Sequence, residues 1–332
     1  MLKYSEDLFK ENQDEILHKV CELYDTKLDN LKKLGSFESF VYDCARRPQS
    51  IIIKITHDSH RSMNMIRGEL EWVNHLSQND VSICGVVPTV NECDVEEIAV
   101  DGSSFFIYAF EKIEGYSCTL KDLTDDFVAQ WGAVLGKMHR VTLEYQPSAA
   151  QYRRNDWLME NRIPDDPSVL DEYAITVERY NELIGQIQKL PQDKNSYNLI
   201  HSDLHYGNFL VRDGRIVVLD TDDSHYNWFV FDLMIPLYYA LRNAEVDPDD
   251  AVFAEKFFRN LLRGYRQENA MQEWWLDTIP LFLKLREIDL FFILLTMNPE
   301  DMNDWCRRLL KERRPRIENR IPVIDLDFRK FI

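Results

Sequence analysis

The stretch His201-Ser202-Asp203-Leu204-His205-Tyr206-Gly207-Asn208 decides the fold prediction, together with the Asp220-Thr221-Asp222-Asp223 segment that follows it. Between them lie two apolar runs, residues 209–211 and 216–219, which flank an Asp-Gly pair at 213–214. Such a pair between two apolar runs predicts a β-hairpin. Because a hairpin returns the chain to where it began, we expect Asp220 beside Asp203 and Asn208.

These three side chains suit phosphoryl transfer. That reaction needs a carboxylate to orient the attacking hydroxyl and oxygen ligands that hold Mg²⁺ against nucleotide phosphates. Carboxylates at the end of an apolar strand repel one another unless a cation sits among them. The sequence therefore favours a metal-dependent site, and the alternative is an acidic, solvent-exposed turn after the strand.

The pattern His-x-Asp-x-x-x-x-Asn, a hairpin and Leu-Asp-x-Asp-Asp resembles the catalytic segment of the aminoglycoside phosphotransferase and choline kinase superfamily. These are small-molecule kinases with a protein-kinase-like fold, and the likeness extends over nearly the whole chain. It is greatest to a bacterial subgroup with homoserine-kinase-like and spore-coat-kinase-like members. The resemblance implies that Asp203 is the catalytic base and that Asn208 and Asp220 are Mg²⁺ ligands. It also implies that Lys54 contacts the ATP phosphates and that His201 braces the loop.

Two positions of this segment depart from the family pattern. Ser202 stands where glycine is frequent, and Thr221 stands where an aromatic residue often follows the metal-binding aspartate. Neither change removes a reacting group. Downstream, Asp232 opens an apolar helix, where the family implies that it ties down the catalytic-loop backbone; a carboxylate favoured by the helix dipole is the alternative.

Lys54 lies in the apolar run 50–55, which predicts a buried strand where an ammonium group needs an anion. On the helix predicted over 66–76, Glu69 falls within the apolar stripe and Glu71 on the opposite side. We therefore expect Glu69 to point inward and pair with Lys54, as the family also implies. The alternative is a lysine on an edge strand that points to water.

The segment 34–41 precedes the Lys54 strand and has one glycine, so by itself it predicts a plain turn. Its position and its likeness to the family's phosphate-covering loop suggest a second interpretation. Backbone N–H groups of Ser36, Phe37, Glu38 and Ser39 would then contact phosphate oxygens, since such nests need no particular side chain.

The acceptor site is expected on the late helices. Arg286, Glu287 and Asp289 lie between apolar turns there and are candidate substrate contacts. A surface salt-bridge cluster is the alternative. The basic residues between 307 and 316 predict a solvated helix end.

Composition limits the possible classes. The 332 residues include 39 Lys and Arg against 57 Asp and Glu, a net charge of −18. This charge argues against binding to nucleic acids or anionic membranes, and it is compatible with a cationic acceptor. The six cysteines form no C-x-x-C pair, and no signal peptide is visible, so we expect a cytoplasmic protein without disulfides or zinc.

The remaining pattern predicts a two-lobed α+β fold of the protein-kinase type. One amphipathic helix is expected over 5–24, strands over 40–42, 50–55 and 105–110, and helices from 231 almost to 313. The predicted division is a β-rich N-lobe at 1–110, a connector at 111–115 and a helical C-lobe at 116–332.

The predicted function is ATP- and Mg²⁺-dependent phosphorylation of a hydroxyl group on a small molecule, such as an aminoglycoside, an amino alcohol or a sugar-like acceptor. A protein Ser/Thr kinase of the same fold is one alternative, and a catalytically silent binding or coat protein is another. The oligomeric state and the preference between ATP and GTP stay open at this point.

Overall fold

The computed structural model describes residues 3–35, 39–159, 163–164, 166–242, 246, 250–297 and 302–332. The chain forms two compact units. Unit 1 comprises Met1–Ser117, Glu144–Arg154 and Phe209–Ser224, and unit 2 comprises Cys118–Leu143, Asn155–Asn208 and His225–Ile332. The predicted α+β class is confirmed, with a β-sheet in the N-terminal region and helices in the C-terminal region.

Unit 1 is built on an antiparallel sheet in the order β1-β2-β3-β5-β4. Its strands are β1 (Leu31–Gly35), β2 (Phe40–Cys44), β3 (Ile51–His57), β4 (Val95–Val100) and β5 (Ser103–Glu111). The three inner strands confirm the predicted ones. The two edge strands, β1 and β4, were not predicted, because their charged residues interrupt the apolar pattern that identifies a buried strand.

Helices cover unit 1's sheet. Where one helix was predicted over 5–24, the structure has two, α1 (Lys3–Glu11) and α2 (Gln13–Leu23). The single-helix prediction is wrong because Asn12, with φ of −110° and ψ of 16°, leaves the helical conformation and stands at the N-cap of α2. Both helices pack on the β3 face that carries Ile53 and Ile55. Lys54 alternates with these residues and so lies on the other face.

The helix α3 (Met63–Gln78) follows β3, as predicted. Its N-terminus is capped by Ser62, whose hydroxyl accepts from the Met65 N–H at 3.3 Å. Apolar residues and Glu69 form the buried face of this helix. The sequence pattern therefore assigned the inward face of α3 correctly.

The predicted hairpin is confirmed as β8 (Phe209–Arg212) and β9 (Arg215–Val218), with β6 (Tyr116–Ser117) beside β8. Asp213 and Gly214 in its turn have φ of 53° and 72°, the positive angles that a two-residue hairpin turn favours. Val218 exchanges backbone hydrogen bonds of 2.8 and 3.0 Å with Ser82 and Cys84. These bonds join the hairpin to the rest of unit 1. The predicted lobe boundaries at residues 110 and 116 stay a prediction.

Unit 2 is mainly helical. Its helices are α4 (Asp125–Thr142), α5 (Pro167–Glu172), α6 (Ala174–Ile187), α7 (Phe229–Leu241), α8 (Ala251–Glu268), α9 (Trp274–Leu295) and α10 (Asp304–Glu318). The strands β7 (Tyr197–Ile200) and β10 (His225–Trp228) pair antiparallel. The long helical region predicted after residue 231 is confirmed. No helix of the described residues is long and apolar enough to span a bilayer.

Candidate active site

The catalytic-loop candidate follows β7 in unit 2, and Asp232 on α7 holds its backbone. The Asp232 carboxylate accepts the His201 N–H at 2.9 Å and the Ser202 N–H at 2.6 Å. Burial would raise the pKa of Asp232, but the hydrogen bonds from the His139 ring and the His201 N–H help to outweigh burial and lower it. The charged Asp232 is therefore a fixed anchor, and the structure supports the loop-tying role over a simple helix-dipole effect.

Ser202 and His201 shape the loop before Asp203. Ser202 has a φ of 73°, in the left-handed region that glycine adopts without strain. This angle explains why the family often has glycine there. His201 Nδ1 accepts the Asp203 N–H at 3.3 Å, as expected of a residue that braces the loop.

Asp203 has a donor group near each carboxylate oxygen. Arg286 Nη2 on α9 donates to Oδ1. The Asn208 amide lies 3.3 Å from Oδ2, and His205 Nε2 lies 3.5 Å from it. Asp203 is partly buried, and these contacts hold its carboxylate in a defined orientation.

Asn208 is oriented by the same loop. Its Nδ2 donates to the Asp203 carbonyl at 2.9 Å. Because the amide nitrogen is used inside the loop, the side chain presents its oxygen as the acceptor atom. An amide oxygen in a fixed position is a suitable ligand for Mg²⁺.

In unit 1, Lys54 Nζ donates to Asp220 Oδ1 at 2.7 Å. Burial would lower the pKa of Lys54, but the carboxylates of Asp220, Asp222 and Glu69 outweigh it and raise the pKa well above its usual value. The lysine is therefore cationic. The expected direct pair with Glu69 is replaced by a pair with Asp220, because the hairpin brings a second carboxylate to the strand.

Glu69 is fully buried, as predicted, and accepts a hydrogen bond from the Thr221 hydroxyl at 2.8 Å. Burial and the neighbouring Asp222 carboxylate raise its pKa, against the opposing effect of Lys54. Glu69 therefore acts on Lys54 through charge rather than through a hydrogen bond. Glu71 faces away and accepts the Ser148 N–H at 3.0 Å.

The acids after Asp220 are neutralised by cations of this chain. Arg61 donates to Asp222 at 3.0 Å and to Asp223 at 3.1 Å, and His60 lies 3.2 Å from Asp222. The buried Arg154 donates to the Asp222 carbonyl. Burial would raise the pKa of Asp222, but the hydrogen bond with His60 and the charges of Arg61 and Lys54 outweigh burial and lower it. A bound metal is thus not needed to explain Asp222 and Asp223.

Asp220 differs from the two acids that follow it. Its side chain is 51% exposed, and its φ is 55°. Asp220, in unit 1, offers a carboxylate oxygen, and Asn208, in unit 2, offers an amide oxygen; the described residues hold no cluster of three or more His, Cys, Asp or Glu arranged for a metal. Mg²⁺ is typically held by few protein oxygens together with substrate phosphates and water, and each of these two groups is a ligand type that it takes.

The three acceptor candidates on α9 separate into two environments. Arg286 and Asp289 are buried and line a recess that also includes Ser202. Glu287 is fully buried and pairs with Lys284 at 2.6 Å and with Arg313 at 3.5 Å. A surface salt-bridge cluster is therefore excluded. The prediction of a solvated basic helix end is wrong for Arg313. This residue is buried because it forms an ion pair with the buried Glu287.

The structure describes only part of the predicted phosphate-covering loop. Ser36, Phe37 and Glu38 lie outside the described residues. Ser39 is buried, and its hydroxyl lies 2.7 Å from that of Thr56 on β3. The contact of this segment with phosphates stays a prediction.

Sequence reasoning missed three residues that shape these loops: Arg61, Arg154 and Tyr239. The basic pair His60-Arg61 after a predicted strand was a usable signal, since it complements the acids at 222–223. Arg154 and Tyr239 gave no such signal, because nothing in the sequence around them indicates their partners. Arg154 contacts Asp222, 68 positions away, and Tyr239 contacts Arg286, 47 positions away.

The fold and these loops define the class of small-molecule kinases with a protein-kinase-like fold. Residues 31–271 match the model of the phosphotransferase enzyme family. The chain is 32% identical over 320 residues to amicoumacin kinase of Bacillus subtilis (strain 168). The aligned residues cover 96% of this chain and 95% of that protein. The chain belongs to the phosphotransferase enzyme family.

Solved structures agree with this assignment. An amicoumacin kinase in complex with AMP-PNP, Ca²⁺ and Ami is 31% identical, with a TM-score of 0.92 and full coverage of both chains (100%). A microcompartment-associated aminopropanol kinase gives a TM-score of 0.72 at 21% identity, covering 92% of this chain and 95% of that one. Spectinomycin phosphotransferase gives 0.61 at 17% identity, covering 90% and 93%. The last two show the fold alone.

These comparisons confirm that the chain is a small-molecule phosphotransferase. The expectation of ATP and a divalent metal is confirmed through the amicoumacin kinase, whose complex holds an ATP analogue and Ca²⁺. No comparison favours a protein kinase or a silent binding protein.

Proposed function

We propose that this chain transfers the γ-phosphoryl group of ATP, with Mg²⁺, to a hydroxyl group of amicoumacin or of an acceptor related to it. The observation that carries the proposal is the geometry of the Asp203 loop. Asp232 fixes the loop backbone, and Asn208 and Arg286 fix the Asp203 carboxylate. Likeness over 96% of the chain to amicoumacin kinase supports the choice of acceptor.

Each residue has a separate role in this proposal. Asp203 orients the acceptor hydroxyl and takes its proton as the oxygen attacks phosphorus. Asn208 and Asp220 supply the oxygen ligands for the metal. When bound, Mg²⁺ neutralises charge on the phosphates.

Lys54 completes the nucleotide side. Its ammonium group is held in place by Asp220 at 2.7 Å, and Glu69 adds negative charge behind it. A cation fixed in this way aligns a phosphate oxygen at little entropic cost. Ser36 to Ser39 would contact the phosphates through backbone N–H groups.

The acceptor contacts we propose are Arg286 and Asp289, because both line the recess that includes Ser202. Glu287 supports α9 through its buried ion pairs. The buried carboxylate of Asp289 is compatible with a cationic acceptor. The reaction is assigned to the cytoplasm in this proposal, because six cysteines without a C-x-x-C pair are typical of a reducing compartment.

The test is transfer of radiolabelled phosphate from ATP to amicoumacin, with aminoglycosides and amino alcohols assayed in parallel. Denatured casein reports protein-kinase activity, and Asp203→Asn is the control. We expect label on amicoumacin or another small hydroxyl compound, lost in the control. Label on protein alone, or on nothing while Mg²⁺-ATP binds, would refute the proposal.

A further inference from the structure

Arg286 contacts the catalytic-base candidate from a position fixed by other residues. Its Nη2 donates to Asp203 Oδ1 and to the Tyr239 hydroxyl at 2.6 Å. The guanidinium carbon lies 5.4 Å from the centroid of the Tyr239 ring. Only 8% of the Arg286 side chain is exposed. A buried guanidinium held by a carboxylate, a hydroxyl and a ring is a built part of this site.

The second oxygen of Asp203 is also engaged. Oδ2 lies 3.3 Å from the Asn208 amide and 3.5 Å from His205 Nε2. His205 Nδ1 accepts the Gly207 N–H at 2.8 Å, which leaves the ring proton on Nε2. Each carboxylate oxygen can accept more than one hydrogen bond, so an incoming hydroxyl can still reach Asp203, but it meets a carboxylate whose negative charge is already shared with these donors.

Arg286 is the donor best suited to give way. Asn208 is also bonded to the Asp203 carbonyl at 2.9 Å, and its displacement would break a second bond. Arg286 keeps its Tyr239 anchor when it leaves Oδ1, and a guanidinium has five N–H donors to redirect.

A small recess lies beside this contact. Arg286, Asp289 and Ser202 line it with the aromatic residues Trp157, Tyr180 and Phe231. Its volume is about 20 Å³, close to the space that a single water occupies. The recess therefore accommodates one oxygen atom of a ligand within reach of the guanidinium.

We propose that Arg286 guards the catalytic base and selects the acceptor. Bound to Oδ1, its positive charge makes Asp203 a weaker base, so that Asp203 does not activate water. It passes its hydrogen bonds to a carbonyl oxygen of the acceptor, which restores the basicity of Asp203 toward the hydroxyl on the adjacent carbon. The selected class is α-hydroxy amides; this rests on the proposed function.

The reaction that Arg286 suppresses is ATP hydrolysis. A water oxygen forms a bond to the γ-phosphorus, the bond from that phosphorus to the β,γ-bridging oxygen breaks, and the water proton passes to Asp203. The products are ADP and phosphate. In the productive reaction the acceptor oxygen takes the place of water, and the products are ADP and the phosphate ester.

The first test measures ATP hydrolysis without acceptor in Arg286→Met. We expect the hydrolysis rate to rise about fivefold or more and kcat/KM for the acceptor to fall about tenfold. Tyr239→Phe removes the second anchor and should raise hydrolysis in the same direction. Arg313→Met is the matched control, because it removes a buried arginine paired with Glu287 rather than with Asp203. Its hydrolysis rate should be unchanged.

The second test compares an α-hydroxy amide with its carbonyl-free amine counterpart. Wild type should have about a tenfold lower KM for the amide, and Arg286→Met should lose that preference. Unchanged hydrolysis in a folded Arg286→Met, or in Tyr239→Phe if Arg286→Met does not fold, overturns the guard. An unchanged preference overturns the selection. Absence of any phosphorylated acceptor refutes the proposed function instead, while the hydrolysis assay still tests the guard.

Discussion

At the scale of single residues, Asp203 and Asp220 have different surroundings, so substitutions at the two positions should have different effects on turnover and nucleotide binding. Asp203→Asn keeps the shape of the side chain but cannot accept a proton, so we expect kcat to fall by about 10²–10⁴. The affinity for Mg²⁺-ATP should change little. Asp220→Asn should weaken nucleotide binding as well as turnover, because it removes a charged ligand and the partner of Lys54.

Calorimetry of Mg²⁺-ATP binding beside initial rates separates these two effects. Near-full turnover in Asp203→Asn would mean that Asp203 is not the base. Equal loss of nucleotide affinity in both variants would contradict the separate roles of Asp203 as the base and Asp220 as a metal ligand.

Ser202 has strained backbone geometry that a single substitution can probe. At a φ of 73°, the backbone conformation of a residue with an L side chain is unfavourable by about 1 kcal/mol, whereas glycine adopts this angle without strain. We expect Ser202→Gly to raise the free energy of unfolding by about 0.5–1 kcal/mol. Ser202→Val should lower it, since a β-branched residue tolerates this angle least. Urea midpoints that place valine above glycine would contradict this account.

At the scale of elements, α3 presents Glu69 to the interior as predicted, but the ion pair of Lys54 is with Asp220. Lys54 keeps Asp220 when Glu69 is removed, so the large cost of an unpaired buried charge no longer applies. We expect Glu69→Ala to cost about 1–3 kcal/mol, from the buried Thr221 hydroxyl left without its acceptor.

The variant Glu71→Ala, on the other side of α3, should cost about 1 kcal/mol, because Glu71 accepts the Ser148 N–H. Glu69→Gln retains an acceptor for Thr221 and serves as the control. A Glu71→Ala variant as stable as wild type by urea titration would show that the Ser148 bond contributes nothing.

The α4–α8 pair depends on two glycines that allow the backbones to meet. A Cβ at Gly264 would lie 1.7 Å from the Ala129 carbonyl oxygen, and one at Gly132 would lie 1.9 Å from that of Leu261. We expect Gly264→Ala to destabilise unit 2 by about 3 kcal/mol or more, since the helices must separate. Thermal unfolding followed by circular dichroism measures this loss.

Gly185 on α6 is the matched control for this helix contact. It has no atom within 4 Å of a built Cβ, and alanine is the better helix former there. Gly185→Ala should raise stability by about 0.5–1 kcal/mol. A destabilised Gly185→Ala, or a tolerated Gly264→Ala, would disprove the packing argument.

At the scale of the whole molecule, binding linkage tests the metal assignment. A ligand at about 100 times its Kd adds about 2.7 kcal/mol to the folded state. We expect ATP to raise Tm by a few degrees with Mg²⁺ and much less with a chelator. Asp220→Ala should abolish the metal-dependent part of the shift. Equal shifts in Mg²⁺ and in chelator would contradict the role of Asp220 as a ligand.

The sequence by itself determined the fold class, the inner strands, the hairpin and the order of the site residues. Apolar periodicity and turn residues are local signals, so they identify Ile51–His57 or the 213–214 turn without knowledge of the rest of the chain. The spacing of Asp203, Asn208 and Asp220 is likewise visible in the sequence, and its likeness to a family supplied the roles.

Only the tertiary structure decided which charges meet. It paired Lys54 with Asp220 rather than Glu69, gave Asp222 the cation Arg61, and brought Arg286 to Asp203. These partners are 166, 161 and 83 positions apart. A helical phase states which side of α3 is buried, but not which of several nearby carboxylates a buried cation selects. That choice depends on distances between elements, and these are set by packing across the whole unit.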